Sequence, residues 1–73
     1  MYIETGLERC VVEVSGYILG VVVADRGCVH FVAASPISSP DDGRQFRSMR
    51  VALRTLHKDL AVRLQASQAR DAA

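Results

Sequence analysis

Tryptophan is absent from this sequence, and cysteine, proline, tyrosine and phenylalanine occur only twice each. So thin an aromatic supply argues against a platform for single-stranded nucleic acid, where successive bases stack on exposed rings. Long hydrophobic runs are missing too. The longest, from Tyr17 to Ala24, falls far short of the roughly 20 residues of a membrane-spanning helix, so no membrane association is expected. The first residues, Met1-Tyr2-Ile3-Glu4, lack a cationic segment leading into an apolar one. They do not read as a secretory signal, and the expected location is cytoplasmic. In that compartment Cys10 and Cys28 are expected as reduced thiols filling core positions rather than as a disulfide.

Motifs that carry chemistry are equally scarce. Cys10, Cys28, His30 and His57 are all the soft metal ligands. Cys28 and His30, two apart in an extended segment, share a face, but the paired ligand spacing of a zinc site is missing. His57 and Asp59 are two apart on a helix and point in different directions, so they do not supply a base and the group that orients it. Neither a glycine-rich phosphate loop nor a nucleophile elbow occurs. No enzymatic activity, cofactor, metal or small-molecule substrate is expected.

What is present is an ordinary globular composition, 49% hydrophobic and 23% charged. A chain of 73 residues is read as one domain, residues 1–73, at a size where a single core yields only a few kcal/mol of net stability. Met1-Tyr2-Ile3 opens toward a strand that Gly6 interrupts. Cys10–Val14 is rich in β-branched residues and reads as a strand, closed by the Ser15-Gly16 turn. Strands over 17–24 and 28–34 follow, joined by a three-residue loop, Asp25-Arg26-Gly27. Gly20 inside the second strand marks a bulge, a bend or a close approach of another backbone. The segment 35–43, with Pro36, Pro40 and Asp41-Asp42-Gly43, is a loop ending in a tight turn. A short edge strand over 44–47 turns Phe46 toward the core. Ser48 then caps a helix over 49–67, along which Met49, Leu53, Leu56, Leu60 and Leu64 recur at helical spacing beside Ala52. The remaining tail is expected to fray. The fold class is α+β, a three- to four-stranded antiparallel meander packed on one C-terminal α-helix.

A sheet with one wet face shows alternating apolar and polar residues. Here Tyr17, Leu19, Val21 and Val23 would line one side of the second strand, and Ile18, Val22 and Ala24 the other. Both sides are apolar, while one helix covers only one. Each Val or Leu left in water forgoes on the order of 1.5–3 kcal/mol. A second subunit, in a twofold homodimer, is therefore expected on Tyr17, Leu19, Val21 and Val23. The N-terminal segment folded across that face is the other candidate occupant.

Charge is unevenly spread. The net charge is +1, yet residues 1–25 carry Glu4, Glu8, Glu13 and Asp25 against only Arg9, whereas residues 43–58 carry Arg44, Arg47, Arg50, Arg54 and Lys58 without an acid. Their spacing places them along one ridge of the helix, beside the leucine stripe, with Arg44 extending it into the edge strand. Such a ridge tracks phosphates or holds an acidic protein, and it also suits a plain solvated face.

The stretch Asp42-Gly43-Arg44-Gln45-Phe46-Arg47-Ser48, leading into a helix with Ala52 and Leu53, resembles the final strand and helix of the small arm-type DNA-binding domains of phage and transposon integrases. The resemblance covers about thirty residues and implies a sheet that enters the DNA groove, carrying basic and polar residues on its exposed face. A small phage or plasmid accessory protein also suits the size and the basic helix. The reading of the residues themselves is a dimeric, non-enzymatic adaptor or inhibitor that contacts an acidic protein through Arg44–Lys58, with sequence-independent binding to a nucleic-acid backbone as the alternative.

Overall fold

The computed structural model describes residues 8–72, so the strand anticipated at Met1–Ile3 lies outside them. Among these residues four strands, β1 (Glu8–Val14), β2 (Tyr17–Asp25), β3 (Cys28–Ala33) and β4 (Gln45–Phe46), with a short 3-10 turn at Ser39–Asp41 between the last two, precede one α-helix, α1 (Met49–Ala72). The sheet is antiparallel throughout, in the order β1-β2-β3-β4, and α1 packs on one face. This is the α+β meander and helix that the hydrophobic patterning predicts.

Both tight hairpins close with two-residue turns whose residues all have positive φ: Ser15 and Gly16 at 53° and 83°, Arg26 and Gly27 at 53° and 84°. Turns of this hand match the twist of the flanking strands. The second loop is one residue shorter than anticipated, because Asp25 stays in β2 opposite Cys28.

The sheet departs from simple alternation at one point. Val12 pairs with Gly20 and Glu13 with Ile18, which leaves Leu19 as an extra residue in β2. This β-bulge reverses the alternation, because Leu19 and its neighbours no longer keep a two-residue period. Leu19 turns toward the helix and is 1% exposed. The freed backbone is held from the far side of the chain: the Leu19 carbonyl accepts the Ala34 N–H at 3.0 Å and the hydroxyl of the fully buried Ser38. Gly20 is required beside it, since a Cβ there would overlap the Phe31 ring and the Val32 carbonyl.

Val12, Leu19, Val22, Val29 and Phe31 from the sheet meet Ala52, Leu56 and Leu60 from α1 in one core, with Val14, Phe46, Met49 and Leu53 packed around it. Leu64 continues the buried stripe of the helix. The Val51 N–H donates to the Ser48 hydroxyl at 3.1 Å, the cap the sequence calls for. At the other end α1 runs past the expected stop at Ser67 to Ala72, because no glycine or proline interrupts good helix formers. Strand limits shift as well. β1 includes Glu8 and Arg9 ahead of the expected Cys10, and β4 contains only Gln45 and Phe46, although the Phe31 N–H still donates to the Arg44 carbonyl at 2.9 Å. Cys28, anticipated in the core, is exposed beside the second turn, while Cys10 is half-buried.

Candidate binding surfaces

Two surfaces stand out, one on each side of the molecule. The first is the outward side of α1. Ala52, Leu56, Leu60 and Leu64 define the buried stripe, so residues about half a helical turn away face solvent. Arg50, Arg54 and Lys58 are all exposed, and Arg47 precedes them in the exposed lead into the helix. Arg50, Arg54 and Lys58 lie on the exposed side of α1. Among the described residues none of them takes part in an ion pair.

Arg44 behaves differently. Its guanidinium donates to Asp59 at 3.2 Å and to Asp41 at 3.4 Å, and lies 5.1 Å from the centre of the Phe46 ring. Asp41, only 8% exposed, also accepts from Arg63 at 2.9 Å, and Arg63 reaches the Ile37 carbonyl at 3.1 Å. These contacts clamp the 35–44 segment onto the flank of α1. They also take Arg44 out of the open ridge expected for it, because its charge is already matched by two carboxylates. The sequence separates Arg44 from Asp59 and Asp41 from Arg63 widely, so the clamp is invisible in local spacing.

The basic ridge ends sharply. After Lys58 the outward side carries Ala61, Val62 and Gln65, with Val62 66% exposed. Next to this boundary is a shallow depression of about 400 Å³ lined by Lys58, Asp59, Val62, Arg63 and Ala66.

The second surface is the sheet face opposite the helix. Cross-strand partners share a face, so the register fixes its rows. Val11, Val21 and Val32 form the central row, with Arg9, Val23, His30 and Gln45 on one side and Glu13 and Ile18 on the other. Val11, Ile18 and Val32 are 52%, 61% and 44% exposed. Of the four residues expected at a subunit contact, Val21 and Val23 lie here. Leu19 does not, being buried under the helix, and Tyr17, exposed at the turn, pairs with Val14 on the helix side. The bulge is the reason for both differences, and it brings Ile18 to the open face in their place.

Cys28 and His30 share that open face by alternation, as the sequence implies, and His57 is exposed on α1, while Asp59 is bound to Arg44. Among the described residues no three His, Cys, Asp or Glu side chains cluster as a metal site would require, and no helix is long and apolar enough to cross a membrane. No protein-family model, curated protein or solved structure matches the chain.

Proposed function

We propose that this chain is a non-enzymatic, homodimeric binding module that docks an acidic protein through Arg47, Arg50, Arg54 and Lys58. The observation that carries the reading is the division of its cations. Arg44 and Arg63 are matched by Asp41 and Asp59, whereas Arg47, Arg50, Arg54 and Lys58 have no carboxylate against them among the described residues and, unlike the similarly unpaired Arg9 and Arg26, follow one another at close spacing. Arg50, Arg54 and Lys58, aligned over about two helical turns, offer a straight cationic track of roughly 12 Å, with Arg47 just ahead of it.

A protein suits this track better than a nucleic acid because of what adjoins it. The ridge gives way to exposed Val62 and a depression lined by Lys58, Asp59, Val62, Arg63 and Ala66, which suits an apolar side chain beside acidic ones better than a run of phosphates. The open sheet face is also valine-rich, with Arg9 its single arginine among the described residues, unlike the basic and polar reading face that the integrase-domain resemblance implies.

The test is a pair of fluorescence-anisotropy titrations of the full chain, against a glutamate-rich peptide containing leucine and against a duplex DNA. The peptide is expected to bind, and Arg50→Glu with Arg54→Glu to abolish binding. If the duplex binds instead, with log affinity falling against log salt at a slope of about −3 to −4 and sensitive to the same substitutions, the acidic-protein reading is overturned.

A further inference from the structure

We infer that two copies stack their open sheet faces about a twofold axis running along the Val11–Val21–Val32 row, which makes the protein a bivalent linker with its two basic ridges pointing in opposite directions. The inference deepens the proposed function and rests on it for the ridges. The stacking itself rests on the sheet.

The open face offers two in-plane axes through Val21, and the charges choose between them. An axis parallel to the strands would set β1 against β3. Arg9 would then meet His30, and Glu13 would meet no cation. An axis across the strands reverses each strand onto its own copy. Because Arg9 and Glu13 flank Val11 on the same face of β1, each Arg9 then falls opposite Glu13 of the other copy, twice over. The same rotation sets Val23 against Ile18 and stacks Val11, Val21 and Val32 on themselves. One patch thus sets apolar side chains against apolar ones and each charge against its opposite, as a twofold contact requires. Strands stacked in this way stay near the alignment usual for packed sheets. Ordered from one pole to the other, the assembly runs helix, sheet, sheet, helix, so each ridge faces outward on its own side and two partners are joined instead of one being clamped.

Sedimentation equilibrium of the full chain over a wide concentration series tests the stacking. The expected mass is twice the 8.0 kDa of the chain. Val32→Glu, at a position already 44% exposed, is expected to give the single-chain mass with an unchanged circular dichroism spectrum. Arg9→Glu alone and Glu13→Arg alone are expected to dissociate the pair, and the two together to restore it. A single-chain mass for the wild type at every concentration would point to the N-terminal segment as the cover and overturn the inference. A Val32→Glu variant that stays paired would do the same in favour of edge-on pairing through β1, and so would a charge-swapped double variant that stays apart. Bivalence is read separately: wild type should crosslink particles coated with the glutamate-rich peptide, and Val32→Glu should bind them without crosslinking, while crosslinking by the single-chain variant sinks the linker role. Arg50→Glu with Arg54→Glu should leave the doubled mass intact. If the peptide fails to bind at all, the ridge reading falls and the masses still decide the stacking.

Discussion

Gly20 shows how much one residue determines here. The absence of a side chain lets the Phe31 ring and the Val32 carbonyl close over the backbone next to the bulge. Gly20→Ala forces either the ring or the ladder to move, and overpacking of this kind costs about 1–3 kcal/mol. Equilibrium urea unfolding should show that loss, and an unchanged midpoint would mean that Phe31 yields freely. The sequence exposes this residue as unusual, because glycine is out of place inside a strand of Val and Ile. What it does not expose is the neighbour that bulges. Leu19 and Ile18 are interchangeable to an alternation argument, and the bulged arrangement is held from a distant loop, where the Ser38 hydroxyl donates to the Leu19 carbonyl. Arg44 is a similar case. By spacing it belongs with Arg47 and Arg50, and only the fold shows that Asp41 and Asp59 have claimed it.

At the level of elements, the helix and the hairpins were legible to different degrees. The start of α1 follows from Ser48 and its face from the leucine spacing, both of which are short-range signals. Its end carried no such signal, since the residues after Ser67 include neither glycine nor proline. The β2–β3 turn was legible as a turn but not in length, because Asp25 suits a loop as well as a strand end. That turn is also imperfect chemistry. Arg26 holds a φ of 53°, a region that costs an ordinary L-residue about 1–2 kcal/mol and that asparagine tolerates better. Arg26→Asn, giving the preferred Asn-Gly pair, should therefore stabilise the fold by about 0.5–1 kcal/mol, a rise of several degrees in melting temperature for a domain of this size. A scanning calorimetry trace with no rise would show that the arginine makes a compensating contact.

For the whole molecule, the decisive feature is that one helix cannot cover both sides of a sheet. The radius of gyration, 13.5 Å, exceeds the about 11 Å of a compact domain of this length because the molecule is drawn out along one axis, 52 Å against 22 and 16 Å. If a second copy supplies the missing layer, melting becomes a bimolecular event and its midpoint depends on concentration. Dilution should lower the melting temperature of the wild type and leave that of Val32→Glu fixed, and a wild-type midpoint indifferent to dilution would contradict the assembly. The two-sided greasiness was plain from the sequence; the membership of each side was not, because the bulge exchanges Ile18 for Leu19 and Tyr17. The same bulge has a consequence for how this strand tolerates changes in length. Leu19 is supernumerary, so excising it would leave Val12 still opposite Gly20 and Glu13 still opposite Ile18. Removing a residue from the middle of β2 on either side of that point would turn part of the strand inside out. β2 can thus shorten at Leu19 at the expense of one core side chain and of the carbonyl that Ala34 and Ser38 donate to, while the residues of its open side keep their places.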